Sequence, residues 1–328
     1  MKAVLRLAGW AVAIVVVLIV IGFVTMTRAD IAYATLQAQY GDASDRYLDL
    51  PNGAHVHYRD QGNPNGEPIV LVHGFGASLF DWTPWVARLG ARYRIISLDL
   101  PGHGLTETPK GLHPHMDDLV AAVDAVTAKA GAKHFVLAGN SMGGGVAWNY
   151  ALQHADKLDG LVLEDSVPPP YPPGHEPKGK SNVIIFNLMR VPLLQGLLTH
   201  IDLTPLIRQG LESAFIDKSL VTPALVRRYS DFSRAPGHRR TLLELQNGPR
   251  ADPAAVNAAL GQLKVPTLVM HGKADKLIWW REGERTAKTI PGSTLIVYDG
   301  VGHVPMEQIP DKSAADLDGW IQAKALKR

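Results

Sequence analysis

HFVLAGNSMGGGVAW, at residues 134–148, indicates both the architecture of this chain and a chemical role for one side chain. An apolar run leads into Gly139-Asn140-Ser141-Met142-Gly143, which has the pattern G-x-S-x-G, and a stretch typical of a helix follows. A sharp turn from strand to helix strains the serine backbone and exposes its hydroxyl at the edge of a sheet. Glycines flank the serine because Cβ atoms there would clash. We therefore predict Ser141 as a nucleophile.

The sequence on either side alternates between short apolar runs and helical patterns. A hairpin is predicted first, because RYLDL and AHVHYRD flank the turn residues Pro51-Asn52-Gly53. Strands are then predicted at 68–74, 93–100, 134–141, 158–166, 265–272 and 293–300, with helices such as 116–130 between them. Strands that alternate with helices predict a mostly parallel, doubly wound α/β sheet.

This alternation stops after residue 166. Six prolines lie between Pro168 and Pro177, and the pattern from 181 to about 245 is helical. Because strands return at residue 265, we expect a helical cap inserted between strands, over the carboxyl edge of the sheet. The apolar stretch Val183–Leu198 within it leaves three interpretations: a wall of an acyl-binding pocket, contact with a bilayer surface, or packing inside the cap.

The first segment differs because residues 7–27 carry no charge and are rich in Val, Ile and Leu. About 20 such residues cross a bilayer core as a helix, so we predict an N-terminal transmembrane anchor. Lys2 and Arg6 precede it, which favours a cytoplasmic N-terminus and a periplasmic location for the rest. The alternative is a cleaved signal peptide with Ala32-Tyr33-Ala34 as its A-x-A site.

The predicted organisation has five parts. They are an anchor at 7–27, a linker at 28–45, a first core part at 46–166, a cap at 167–245 and a second core part at 246–328.

A serine hydroxyl becomes a good nucleophile only when a base takes its proton. His303 follows the last predicted strand, at the end where sheets of this type expose their ligands. Asp275 follows the strand before it and would orient the imidazole. The order serine, aspartate, histidine along the chain fits this architecture. Asp165, which ends the strand after Ser141, is the alternative acid.

Two backbone N–H groups usually stabilise the oxyanion that forms when such a serine attacks. One would come from Met142, directly after the nucleophile. The other would come from the loop His73-Gly74-Phe75-Gly76, where we assign it to Phe75. Phe75 and Met142 are thus the predicted oxyanion-hole residues.

Composition excludes several classes of protein. The 328 residues carry a formal net charge of +2 and no long basic run, so a nucleic-acid partner is not indicated. With no cysteine, disulfides, thiolate zinc sites and a cysteine nucleophile are excluded. Two histidine pairs, His55 with His57 and His113 with His115, lack a third ligand at metal-site spacing. We predict neither a metal nor an organic cofactor.

The motifs HGFG, DLPGHG, GNSMGG, HGKAD and VGHVPME together resemble the α/β-hydrolase superfamily, from about Arg46 to Ile321. GNSMGG and VGHVPM resemble bacterial lipases and esterases, and the N-terminal segment resembles that of membrane-anchored monoacylglycerol lipases. GNSMGG is also similar to the hydrolases that cleave carbon–carbon bonds of meta-cleavage products, but Val304 stands where those have Trp. Epoxide hydrolases and haloalkane dehalogenases use Asp where this chain has Ser141.

These observations predict an esterase or lipase that acts on a lipophilic acyl ester, such as a monoacylglycerol, through an acyl-enzyme on Ser141. Carbon–carbon cleavage and acyl transfer remain alternatives, because the same triad serves each. A catalytically silent, membrane-tethered binding protein is the alternative from another class. A broken triad would indicate that class, and the sequence shows none.

Overall fold

The computed structural model describes residues 25–109, 111–171, 183–247 and 252–325, together with isolated positions before residue 25. One sheet runs through it. Its strands are β1 (Asp45–Asp49), β2 (His55–Gly62), β3 (Pro68–Val72), β4 (Arg94–Leu98), β5 (Phe135–Asn140), β6 (Leu158–Glu164), β7 (Thr267–Gly272) and β8 (Thr294–Tyr298).

The strand order in the sheet is β1-β2-β4-β3-β5-β6-β7-β8. The predicted hairpin is present as the antiparallel pair β1–β2, and β2 also pairs antiparallel with β4. Every later neighbour pairs in parallel. The predicted mostly parallel sheet is therefore confirmed, and the carboxyl ends of β3, β5, β6, β7 and β8 lie along one edge.

The helices are α1 (Tyr33–Tyr40), α2 (Thr83–Leu89), α3 (Met116–Lys129), α4 (Met142–Gln153), α5 (Ile184–Leu188), α6 (Pro192–Leu198), α7 (Thr204–Ala214), α8 (Pro223–Ser233), α9 (His238–Asn247), α10 (Pro253–Leu260), α11 (Arg281–Thr289), α12 (Pro305–Gln308) and α13 (Pro310–Trp320). A single π-helical turn, Ile321–Ala325, follows α13.

Apolar side chains of the central strands pack on both faces of the sheet. In β3, Val70 and Val72 belong to one buried cluster, with residues of α3, α4 and α10, whereas Ile69 and Leu71 belong to a second, with residues of α2 and α13. Successive side chains of a strand point to opposite faces, so a strand covered on both sides is apolar throughout. This arrangement is the doubly wound architecture.

Helices α5 to α9 stand between β6 and β7 in the chain, in the range where the cap was predicted. Pro192, Thr204-Pro205 and Thr222-Pro223 lie at the starts of α6, α7 and α8, where proline is compatible with a helix. We call α5–α9 the cap.

The N-terminal region differs from the prediction in one respect. The range 28–45, predicted as a linker, contains α1, whose Leu36 is fully buried against Leu105, Phe232 and Ala235. One buried residue in eight gives no periodic apolar pattern, which is why sequence reasoning missed this helix.

The predicted membrane span at 7–27 lies mostly outside the described residues. Among the helices that are described, none has both the length and the apolar character needed to cross a bilayer. The anchor therefore stays a prediction.

Candidate active site

Ser141 stands between β5 and α4 with φ 56° and ψ −117°. This is a left-handed, strained conformation for a residue with a Cβ. A Cβ at Gly139 would lie 2.2 Å from the carbonyl oxygen of Gly143, and one at Gly143 would lie 2.1 Å from that of Val72. The turn can form only with glycine at both positions, and it places the serine at the carboxyl edge of the sheet.

His303 and Asp275 are brought together from the loops that follow β8 and β7. Nδ1 of His303 lies 2.7 Å from Oδ2 of Asp275, and both residues are buried. Oδ1 of Asp275 accepts hydrogen bonds from the amides of Leu277 (2.7 Å) and Ile278 (3.1 Å). Burial opposes ionisation of Asp275, but His303 and His271 outweigh it and hold the pKa of the carboxyl below its ordinary value. An ionised Asp275 can stabilise a protonated His303.

Two contacts hold the His303 backbone next to the serine turn. The His303 amide donates to the carbonyl of Ala214, at the end of α7, over 2.8 Å. The side-chain amide of Asn140 donates to the carbonyl of His303 over 3.0 Å and to that of Glu164 over 3.3 Å. Sequence reasoning missed Asn140, although it occupies the variable position directly before the nucleophile. Asn140 holds the backbone of His303 in place through bonds to His303 and Glu164, which are distant in the chain.

The alternative acid, Asp165, lies close to this pair but does not bond His303. Its Oδ1 accepts the Gly272 amide at 2.9 Å, and no hydrogen-bond partner for its Oδ2 is found among the described residues. Asp165 is fully buried and has φ 42°. Burial, with the nearby charge of Asp275, raises the pKa of Asp165 well above its ordinary value, so its ionisation is disfavoured relative to that of Asp275.

His271, at the end of β7, is a second residue that sequence reasoning missed. Its Nε2 donates to the carbonyl of Ile278 over 3.0 Å and lies 3.4 Å from both Oδ1 of Asp165 and Oδ2 of Asp275. Burial lowers the pKa of His271, but the two carboxyls reverse this and raise it. Its place within the HGKAD motif was the available signal.

The two predicted oxyanion-hole residues flank Ser141. Met142 is the first residue of α4, and a Cβ on Gly74, next to Phe75, would lie 3.2 Å from the Ser141 Cβ. Within the described chain, the backbone amides of Phe75 and Met142 have no hydrogen-bond acceptor. The amide of Met142 is also at a helix N-terminus, where the helix dipole favours negative charge.

A single cavity contains Ser141, His303 and Phe75 in its wall and has an empty volume of about 1090 Å³. Most of the remaining wall is apolar and comes from the cap. These residues are Val183, Ile185, Phe186, Met189, Leu198, Leu203, Leu206, Ile207, Leu211, Leu242 and Leu243. The stretch Val183–Leu198 thus contributes to the cavity wall and, through Met189 and Leu198, to packing inside the cap, and its contact with a bilayer surface stays a prediction. The cavity suits an apolar ligand.

Three aromatic residues, Trp279, Trp280 and His103, are not part of the cavity wall. Trp279 is 60% exposed, and neither it nor Trp280 lines the cavity. His103 is buried beside the site, with its ring 4.9 Å from that of His73.

Three of the four histidines considered as metal ligands pair with a carboxylate. His55 pairs with Asp49 at 2.6 Å, and His113 pairs with Glu244 at 2.9 Å. His57 lies between Asp45 and Asp99, at 2.9 and 2.7 Å.

One group of potential metal ligands is found among the described residues. Asp165, Asp275 and His303 each place a ligand atom within 4.8 Å of the others. A metal there would compete with the His303–Asp275 hydrogen bond, so we assign this group to that pair.

The comparisons with known proteins agree with this geometry. The family described as the alpha/beta hydrolase fold matches residues 67–309, well over half of the chain. A 2-hydroxy-6-oxononadienedioate/2-hydroxy-6-oxononatrienedioate hydrolase from Comamonas testosteroni is 29% identical over 76% of this chain and 84% of its own. Lipase 1 from Psychrobacter immobilis is 26% identical over 83% of this chain and 82% of its own.

Among solved structures, an esterase from a Rhodococcus species matches with a TM-score of 0.70 at 26% identity. The match covers 86% of this chain and 99% of that one. The relatives therefore include hydrolases of more than one substrate class.

Proposed function

The chain belongs to the α/β-hydrolase family, and from this premise we propose that it cleaves carboxylic esters of lipophilic acyl groups through an acyl-enzyme on Ser141. One observation carries the proposal. A strained Ser141 and His303, whose ring is hydrogen-bonded to the buried Asp275, both stand in the wall of one largely apolar cavity.

In the proposed reaction, His303 accepts the proton of the Ser141 hydroxyl as Oγ attacks the acyl carbonyl carbon. The amides of Phe75 and Met142 donate to the oxyanion, each contributing about 3 kcal/mol of barrier lowering. The carbon–oxygen ester bond then breaks, and the alcohol leaves with the proton from His303. Water, deprotonated by His303, attacks the acyl carbon, the bond between that carbon and Ser141 Oγ breaks as His303 returns the proton to Oγ, and the carboxylic acid is released. Asp275 stabilises the imidazolium in both halves.

The apolar cap residues support an acyl chain as the part of the substrate inside the cavity, because burial of each methylene contributes about 0.8 kcal/mol. An esterase and a lipase are among the relatives.

The second candidate is carbon–carbon-bond cleavage on the same residues. The observation that favours it is the 29% identity to a hydrolase whose named substrate is a dicarboxylate. A site for such a substrate needs cationic side chains that are free to bind carboxylates. Acyl transfer to an alcohol uses the same acyl-enzyme and would differ only in the acceptor.

The test is turnover of p-nitrophenyl esters from acetate to palmitate by the wild type and by Ser141→Ala. We expect kcat/KM to rise with chain length to an optimum, since the chain fills an apolar cavity, and Ser141→Ala to lose at least about 10³-fold. Equal activity of the two proteins would contradict the proposal. Inertness of the wild type on every ester, with turnover of a dienoate, would favour the second candidate.

We also propose that residues 7–27 anchor the protein in a membrane, with the remainder on the periplasmic side. The absence of charge over this length supports an anchor, and Lys2 and Arg6 support the orientation. A membrane would also be a source of lipophilic esters.

A further inference from the structure

Arg239, on α9, is an unusual component of the cavity wall. Among the lining residues that the structure describes, it is the one Lys or Arg, and only 7% of its surface is exposed. A buried cation without partners is costly in free energy. The groups that contact Arg239 therefore determine whether the cavity attracts an anionic ligand.

The guanidinium of Arg239 has three acceptors. Nη1 donates to the carbonyl of Ile201 (3.2 Å), and Nη2 donates to the carbonyl of Arg28 (3.0 Å) and to Oδ1 of Asp30 (2.6 Å). Two of these acceptors are neutral. Asp30 alone supplies a compensating negative charge.

Asp30 is held in place by a strap, which we define as residues 26–31. The amide of Asp202 donates to the carbonyl of Met26 (2.7 Å), that of Arg28 to His200 (2.8 Å), and that of Ile31 to Arg234 (2.8 Å). The strap therefore joins the chain before α7 to the chain after α8. Backbone hydrogen bonds before and after residue 30 in the chain therefore hold Asp30 in position.

The acidic side chain that lines the described wall, Asp81, is already paired. Asp81 accepts from the hydroxyl of Tyr229 at 2.6 Å and lies 3.3 Å from Arg228. Burial raises the pKa of Asp81, against the opposing effects of Arg228 and Tyr229, and these two partners occupy its carboxyl oxygens. With Asp30 in place, the described wall has no Lys or Arg left to attract an anionic ligand.

We propose that Asp30 is a specificity-determining residue, which neutralises Arg239 and so keeps the cavity selective for acyl chains without charge. This inference rests on the proposed function. The Asp30–Arg239 pair also distinguishes this chain from a hydrolase of dicarboxylates, in which such a cation would be free to bind a carboxylate of the substrate. Without the Asp30 charge, a carboxylate on the acyl chain would become the best available partner for Arg239.

The test compares p-nitrophenyl hexanoate, octanoate and decanoate with the mono-p-nitrophenyl esters of adipate, suberate and sebacate, which carry a terminal carboxylate. We expect the wild type to prefer the neutral esters. In Asp30→Asn, the carboxylated-to-neutral ratio of kcat/KM should rise about tenfold at the best chain length, as expected for a partly desolvated charge pair. This gain should shrink with added salt.

Asp202→Asn is the matched control. It removes another carboxylate bound to the strap, 3.3 Å from Arg28, that does not line the cavity. The carboxylated-to-neutral ratio of kcat/KM for Asp202→Asn should equal that of the wild type. The double variant Asp30→Asn/Arg239→Gln should lose the increase in this ratio that Asp30→Asn shows. Asp30 is 48% exposed, so Asp30→Asn should fold, and Asp30→Ser provides a second neutral variant.

An unchanged ratio in folded Asp30→Asn and Asp30→Ser would overturn the inference. Calorimetric binding of decanamide and of sebacic acid monoamide repeats the comparison without turnover. If no ester is cleaved but Asp30→Asn gains affinity for the monoamide acid, the proposed function fails and the charge argument holds. If esters are cleaved and neither ratio nor affinity changes, only the charge argument fails.

Discussion

Asp275 and Asp165 differ in charge because their partners differ. Asp275 accepts two backbone amides and a hydrogen bond from His303, which favour its ionised form. Asp165 accepts one amide, and its second oxygen has no partner among the described residues. Two ionised carboxylates this close would repel each other, which favours ionisation of Asp275 over that of Asp165. This division assigns the orienting role to Asp275.

We expect Asp275→Asn to lower kcat/KM by about 10³- to 10⁴-fold near pH 7, because the imidazolium loses its counter-charge. Asp165→Asn should remain within about threefold of the wild type. The raised pKa of Asp165 means that it ionises only at higher pH. Activity of Asp275→Asn should therefore recover in part as pH rises, since an ionised Asp165 can then stabilise His303. pH profiles of kcat/KM measure this.

The double variant Asp165→Asn/Asp275→Asn is the control and should show no such recovery. A loss in Asp165→Asn as large as that in Asp275→Asn would reverse the assignment and make Asp165 the acid.

Among individual residues, the sequence predicted those whose role depends on their place in a motif. Ser141, Asp275 and His303 each follow a strand, and the structure brings the last two into contact. The sequence did not predict the Asn140 contact to His303, which joins positions 163 residues apart. The Arg239–Asp30 pair joins positions 209 apart. Neither pair lies in a shared motif, so only the folded chain reveals them.

The elements differ in how far their patterns predict them. The strand β3 and the helix α3 were predicted within a few residues, because β3 is a continuous apolar run and α3 repeats apolar residues with the helical period. The sequence predicted the range of the cap but not the bounds of its individual helices, because the packing of these helices is set by the cavity that they enclose.

The N-terminal element, residues 7–27, is predicted to anchor the protein in a membrane. We expect the full chain to remain in carbonate-washed membranes and a variant lacking residues 1–24 to be released, because the uncharged stretch drives insertion. The deletion ends before Thr25, so the strap is retained.

The orientation can be read from Lys129→Cys, since the chain has no other cysteine and Lys129 is exposed at the end of α3. A membrane-impermeant maleimide should label it in spheroplasts. Recovery of the full chain in the soluble fraction would contradict the anchor. A mature N-terminus just after Ala34 would instead indicate a cleaved signal peptide.

In the molecule as a whole, the parallel sheet collects residues from distant parts of the chain at one edge. The loops after β3, β5, β7 and β8 carry Phe75, Ser141, Asp275 and His303 respectively. Ligands of open α/β sheets bind outside the carboxyl ends of the strands. The cap covers that edge with apolar side chains, and the strap secures the cap from the outside. Reaction chemistry is thus set by the sheet and selectivity by the cap.

The central claim is that His303 activates Ser141 for attack, and covalent labelling tests it most directly. Purified wild type, Ser141→Ala and His303→Ala are treated with a fluorophosphonate, and intact mass and peptide mapping follow the adduct over time. We predict one adduct, on Ser141, in the wild type, none in Ser141→Ala, and labelling slowed at least about 10²-fold in folded His303→Ala. Adduct formation at another residue, or equal rates with and without the His303 imidazole, would contradict the account.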